Sequence, residues 1–337
     1  MLTKIKTMHH YVTEELNKDQ WQSKHKWMAY PLVSIDLASS IKKYDLHPDE
    51  YLQLNFFNLD DNRRKKIISR KERNEYVRLF NKKEDIPNLE NKIKFLTNFQ
   101  DYVNRDFLIL EDASYEDYVS FVSSHQGYIA KKSDSGQGKG VEMVSKVEDS
   151  DKEFKRLKEN SYDLIEEIIE IHPVLRNVSP GGIPPIRFIT YVDEMKVPHI
   201  IFTAINMSTG SQIVNFNSGA VISIINPETG ELMNDGLDKK NKMHELHPVT
   251  KKPIKGLRLP EWEALKELVL NAAVMFPEVG YVGWDCTITA KGPCIIEANA
   301  KRPAINGLQM EGFKKLDETY GNFDFVRDEY RRRKSKV

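Results

Sequence analysis

The spacing of hydrophobic and polar positions changes near residue 107. Before it, apolar residues recur at helical intervals among many charges. Residues 11–16 and 49–55 read as short helices, and 60–80 as a longer one carrying Ile67, Ile68, Tyr76, Val77 and Leu79, with Asp60 as its cap. After it, short apolar runs alternate with amphipathic stretches. Residues 107–110, 128–131, 141–144 and 162–166 read as strands, with helices at 114–123 and 149–160 between them. Ser114 followed by Asp117 is a variant of the capping box. Longer strands are expected at 186–192, 199–205 and 221–225, the last closed by the turn Asn226-Pro227-Glu228-Thr229-Gly230. Pro260 is expected to open a helix reaching Phe276. Residues 281–289 and 293–298 form a hairpin around Ala290-Lys291-Gly292, and a polar helix with Arg331-Arg332-Arg333-Lys334 follows. Strands interleaved with single helices predict an α+β core behind a helical N-terminal region.

Composition narrows the function classes. Lys+Arg and Asp+Glu both number 50 in 337 residues, so no overall field draws the chain to nucleic acid or an acidic membrane. The greasiest stretch, 265–276, is interrupted by charge and falls short of the roughly 20 apolar residues of a membrane span. No apolar signal region follows the first residues, and the two cysteines, Cys286 and Cys294, read as small core residues. The expectation is a cytoplasmic protein with no nucleic-acid partner and no membrane span. The run Arg63-Arg64-Lys65-Lys66 reads as a solvated helix face, or as a site for an anionic partner.

Four segments carry chemistry. In the stretch from Lys131 through Ser133, Gly136, Gln137, Gly138, Lys139 and Gly140, three alternating glycines join two strands. They free backbone N–H groups to approach phosphate, although flexible glycine-rich hairpins look the same. A P-loop is excluded because Gly138-Lys139 is followed by Gly140 and a strand. If the hairpin pairs as its turn suggests, Asp285 can lie across from Glu297 and Asn299. Two carboxylates and an amide oxygen make a hard donor set suited to Mg²⁺, and Asp285 and Glu297 interrupt runs where unpaired carboxylates are costly. Asp and Asn also form turns at strand ends. The segment Glu166-Glu167-Ile168-Ile169-Glu170-Ile171-His172 follows a strand whose edge could meet an adenine, with Glu170 or His172 reaching a ribose; an ordinary strand end has the same pattern. Arg187 is the lone cation of its strand and needs an anion, either a bound phosphate or carboxylate or a structural partner such as Asp193 or Glu194.

The order of these segments, lysine and glycine loop, Glu166-Glu167, Arg187, then Asp285 with Glu297-Ala298-Asn299, resembles the ATP-grasp superfamily. It is most similar to the sugar-transfer-associated, α-L-glutamate ligase-related ATP-grasp proteins of polysaccharide synthesis. The likeness runs over about 44–310 and includes Asn62-Arg63-Arg64-Lys65, Asn91-Lys92, Arg105-Asp106, an Asn-rich strand Asn215-Phe216-Asn217-Ser218-Gly219, and Pro303. Lys132, Gly182-Ile183-Pro184-Pro185 and Ala220 depart from the group's pattern.

The resemblance implies two α+β lobes clamping a nucleotide: a small lobe at 107–170 and a large lobe at 171–337, behind a helical region at 1–106. It implies ATP with one or two Mg²⁺ ions, and a carboxylate–amine ligase working through an acylphosphate on a carboxylate-bearing sugar or related metabolite. Glycan-synthesis enzymes are the implied protein partners. Lys92 and Lys131 would hold phosphates, Arg187 and Lys139 would serve the transfer, and Asn217, Lys301 and Arg302 would meet substrate. An amino-acid or peptide ligase unrelated to glycans, or a non-catalytic nucleotide-binding scaffold of a glycosyltransferase complex, are the alternatives.

Overall fold

The computed structural model describes residues 2–17, 26–133, 140–212, 214–303, 309 and 323–336. Among the described residues eight α-helices come first: α1 (Leu2–Leu16), α2 (Lys26–Tyr44), α3 (Pro48–Gln53), α4 (Asp61–Lys66), α5 (Arg70–Phe80), α6 (Pro87–Glu90), α7 (Lys92–Asn98) and α8 (Gln100–Val103). A mixed segment follows with β1 (Phe107–Ile109), α9 (Tyr115–Ser124), β2 (Tyr128–Lys131), β3 (Val141–Val144), α10 (Ser150–Glu159), β4 (Leu164–Glu167) and α11 (Pro173–Arg176). The remainder holds β5 (Ile186–Val192), β6 (Pro198–Met207), β7 (Val221–Ile224), β8 (Gly236–Leu237), β9 (Met243–His244), α12 (Trp262–Ala273), β10 (Tyr281–Thr289), β11 (Gly292–Asn299) and α13 (Phe323–Lys334).

The strands form two antiparallel sheets, one ordered β1-β4-β2-β3 and the other β11-β10-β5-β6-β7-β8-β9. Tyr128, Ala130 and Ile165 of the small sheet pack on Tyr118, Phe121 and Leu157 of α9 and α10. One face of the large sheet, with Phe188, Ile205 and Trp284, buries Leu265 and Val269 of α12 and Phe95 and Phe99 of α7 and its cap. The other face, with Ile189, Tyr191, Ala204, Ile222 and Tyr281, is covered by Val33, Leu37, Tyr76 and Phe80 of the helical region and Val326 of α13. Side chains alternate along a strand, so Arg187 stands on the same face as Ile189, two residues away. The covered face therefore runs out from under the helices into Arg187 and its cross-strand partner Asp285.

Local readings hold in most places. Ser114 and Asp117 form the reciprocal capping box, and Asp60 caps α4 through the Arg63 N–H. The stretch 60–80 is two helices, because Ile67 is extended and Ser69 caps a second start through Glu72 N–H. Ile67 and Ile68 are buried at that break. Pro260 does not occupy the first helical turn: α12 starts at Trp262 after Glu261, whose φ is 49°. The Asn-rich segment is no strand. Phe216–Ser218 is a 3₁₀ turn stopped by Gly219 at φ 96°. Nor is the basic run wholly solvated, since Arg63 is buried and Arg64 pairs with Asp36 at 2.7 Å.

Candidate active site

Strands β10 and β11 place Asp285 directly opposite Glu297, and Gly283 opposite Asn299. A register shift after Asp285 bends the ribbon there, and such bulges re-aim side chains. Asn299 Nδ2 donates to Asp285 Oδ2 at 3.2 Å and to Glu297 Oε1 at 3.4 Å, so all three groups converge. Arg187, opposite Asp285 on β5, holds it from the other side. Its Nη2 donates to Oδ2 at 2.9 Å and its Nε lies 2.8 Å from Oδ1. Neither Asp193 nor Glu194 is the partner of Arg187: Asp193 meets His199, and Glu194 meets Arg332.

Burial raises the Asp285 carboxyl to about 7, with the Arg187 charge opposing and Glu297 repulsion adding. Asp285 Oδ1 is buried without an aligned hydrogen bond despite its contact with Nε, and Arg187 Nη1 is buried without one too. A carboxylate oxygen with an unused lone pair, beside a second carboxylate and an amide, fits a hard divalent cation. Gly283 makes the arrangement possible, because a Cβ there would lie 2.7 Å from Arg187 Nη1.

A second group of charges lies on the small sheet. Lys131 Nζ is 2.6 Å from Glu166 Oε1, and Arg105 Nε is 2.5 Å from Glu166 Oε2. Burial alone would raise the Glu166 carboxyl, but Arg105 and then Lys131 outweigh it and hold it at about 2. The Glu166 side chain is thus committed to two cations. Lys92 Nζ donates to the carbonyls of Lys132 and Ser133 at 3.2 and 3.0 Å. Its pKa is lowered, first by burial and then by Lys131, while Glu297, Asp163 and Glu166 pull the other way. Ser133 is tied by its N–H and hydroxyl to Asp163 at 2.8 and 2.5 Å, and Gly140 closes the loop at φ 65° with its carbonyl accepting from Lys132 N–H. Gly136, Gln137, Gly138 and Lys139 lie outside the described residues.

Beyond β4 the chain leaves the small sheet. Glu167 points opposite to Glu166, receiving Lys291 Nζ at 2.5 Å and Asp106 N–H at 3.2 Å. Ile168 and Glu170 are exposed and Ile169 is half-buried; Glu170 pairs with Arg176 at 3.2 Å. His172 caps α11, its Nδ1 accepting from Val174 N–H at 3.2 Å. Residues 167–170 line a cavity of about 550 Å³ with Arg105, His125, Arg176 and Lys291. Asn217 sits in the 3₁₀ turn, and Lys301 and Arg302 are exposed just after β11, the N–H of Lys301 donating to Glu90 at 2.6 Å. Arg105 and Asp163 were not legible as site residues. Their partners Glu166 and Ser133 stand 61 and 30 positions away, and only folding brings them together.

The sugar-transfer associated ATP-grasp family model matches residues 71–323, about three quarters of the chain. The chain belongs to this family. Its α+β architecture, two sheets behind a helical N-terminal region, is the ATP-grasp fold. A search of curated proteins found no match. Among solved structures, this ATP-grasp chain is similar to D-alanyl-alanine synthetase A from Vibrio cholerae, at 14% identity and TM-score 0.43, covering 72% of this chain and 64% of that one. N5-carboxyaminoimidazole synthetase from Staphylococcus aureus, complexed with ADP, aligns at 14% identity and TM-score 0.42, covering 70% and 50%. ATP-grasp ligase PsnB with a minimal precursor aligns at 13% and 0.43, covering 74% and 64%. The ATP-grasp chain thus spans about half to two thirds of the length of these structures. No helix among its described residues is long and apolar enough to cross a membrane.

Proposed function

We propose that this chain is an ATP-dependent carboxylate–amine ligase acting through an acylphosphate. The observation that carries the reading is the convergence of Asp285, Glu297 and Asn299 beside Arg187. The division into a helical region at 1–106, a small lobe at 107–170 and a large lobe at 171–337 belongs to the same proposal.

In the reaction, a substrate carboxylate attacks the γ-phosphorus of ATP and ADP departs. An amine then attacks the acyl carbon, phosphate leaves, and the amine loses a proton to solvent. Such transfers are governed by positioning and charge neutralisation. Lys92 and Lys131 are suited to the phosphate oxygens, and Ser133, Gly136, Gln137, Gly138, Lys139 and Gly140 would serve as the glycine-rich loop that binds them. The backbone from Glu166 to Ile169 would frame the adenine, with Glu170 or His172 nearest the ribose. Asp285, Glu297 and Asn299 would hold Mg²⁺, which when bound offsets the charge of the triphosphate. Arg187 would face the transferring phosphoryl group; Asn217, Lys301 and Arg302 would meet the acceptor. The family is described as sugar-transfer associated, and the finer proposal follows from that: the acid is a carboxylate-bearing sugar or related metabolite, and the amine an amino acid or simple amine.

The test is a matrix of uronic acids, amino acids and amines with Mg-ATP, read by mass spectrometry for dehydrative products and by ADP release. ADP release requiring both an acid and an amine is the expected result; release independent of either would discard the ligase reading. Asp285→Asn and Glu297→Gln should keep the fold and lose turnover by about a hundredfold or more. Full activity in either would discard the metal assignment.

A further inference from the structure

We infer that Arg105 is a positioning residue that couples phosphate binding on the small sheet to the carboxylate strand of the large sheet. This rests on the nucleotide reading above and extends it to a residue outside the candidate donor set.

Arg105 follows α8 and is buried, its side chain 2% exposed. Every nitrogen of its fork is engaged. Nε meets Glu166, Nη1 donates to the carbonyls of Val103 at 3.2 Å and Ile295 at 2.8 Å, and Nη2 donates to the carbonyl of Ile296 at 3.1 Å. Nη1 also lies 3.4 Å from Cys294 Sγ. One planar group thus grips β4 of the small sheet and the residues of β11 just before Glu297. A lysine, with a single point charge and three donors, cannot reproduce that grip.

The arrangement matters because Glu166 has two cationic partners and only one is needed elsewhere. Lys131 rests on Glu166 in this structure. To reach a phosphate it must leave, and a buried carboxylate stripped of all counter-charge is strongly unfavourable. Arg105 keeps Glu166 compensated, so the transfer of Lys131 to phosphate leaves no buried orphan charge. Without Arg105, Glu166 would compete with phosphate for Lys131. The same guanidinium fixes the Ile295 and Ile296 carbonyls, and with them the height of Glu297 against Asp285. Phosphate binding and metal binding then share one support.

The experiment measures binding of the ATP analogue AMPPNP by calorimetry, with and without Mg²⁺, in folded variants checked by a cooperative thermal melt. Arg105→Lys should bind Mg-AMPPNP about tenfold more weakly than wild type. The double variant Arg105→Met with Glu166→Gln removes the competing carboxylate along with its partner. Its metal-free affinity should return to within about threefold of wild type, while the gain on adding Mg²⁺ is lost because β11 is no longer held. A merely structural arginine would move both affinities in parallel. Wild-type affinity in Arg105→Lys, or a double variant showing the same loss with and without Mg²⁺, would overturn the inference. Wild-type protein that fails to bind AMPPNP at all would instead sink the nucleotide reading, and this inference with it.

Discussion

At the residue scale, two positions carry separable consequences. Glu166 has a folded pKa of about 2 against an ordinary 4.5, so the stability it contributes is complete above pH 4.5 and is lost as the pH falls through 2. Glu166→Gln should therefore be less stable than wild type at pH 7, with the gap closing toward pH 2. Urea titrations across that range measure it, and a gap independent of pH would contradict the ion-pair account. Gly283 acts through space. The atom a Cβ would strike is the far end of Arg187, with Pro303 Cα at 3.3 Å, so the side chain can yield without unfolding the sheet. Gly283→Ala should lose about 1 kcal/mol or less of stability while pushing the guanidinium off Asp285 and cutting turnover at least about tenfold. Melting temperature and ADP release, read on the same preparation, separate the two effects. The lone arginine, the lysine and the acidic residues were visible as residue types. Their pairings were not: nothing local marks Arg187 for Asp285 rather than Asp193, because the choice is made by strand register.

At the element scale, the periodicities fixed most strands and several helix ends, since capping and alternation are local. The hairpin that carries the donor set was legible for the same reason: its turn, its two strands and its pairing lie within 19 residues. Elsewhere tertiary contacts overrode local pattern. Ile67 and Ile68 look like helical apolar positions, yet burying both at a corner while Ser69 restarts the helix satisfies the next turn's N–H groups. The join between helical region and large sheet depends on Asn81. Its Nδ2 donates to the carbonyls of Tyr281 and Ala300 at 2.8 Å each, and its Oδ1 accepts from Tyr281 N–H at 2.7 Å. Asn81→Ala leaves buried backbone groups without partners and should cost about 3 kcal/mol. A loss under about 1 kcal/mol in chemical denaturation would show that water replaces the amide.

At the scale of the whole molecule, Arg105 joins the two sheets through buried contacts, and the proposed nucleotide would add a bridge between them. A ligand that binds only the folded chain stabilises it in proportion to its occupancy. Mg-AMPPNP at a hundred times its Kd should raise unfolding stability by about 2.7 kcal/mol. Thermal shift measures this. Asp285→Asn, which retains Lys92 and Lys131 but loses a metal donor, should show a smaller shift at the same concentration. An equal shift would separate nucleotide binding from the donor set.

By itself the sequence determined the class of fold, the strands that carry Lys131, Glu166, Arg187, Asp285 and Glu297, and the family resemblance, because alternation, capping and short-range hairpins are encoded within a few residues of where they act. Only the tertiary structure decided which charges meet. Arg105 reaches Glu166 across 61 positions and Ile295 across 190, and the helical region covers the face from which Arg187 emerges. Buried ion pairs select partners by register and by exclusion from water, and neither exists until the sheets are assembled.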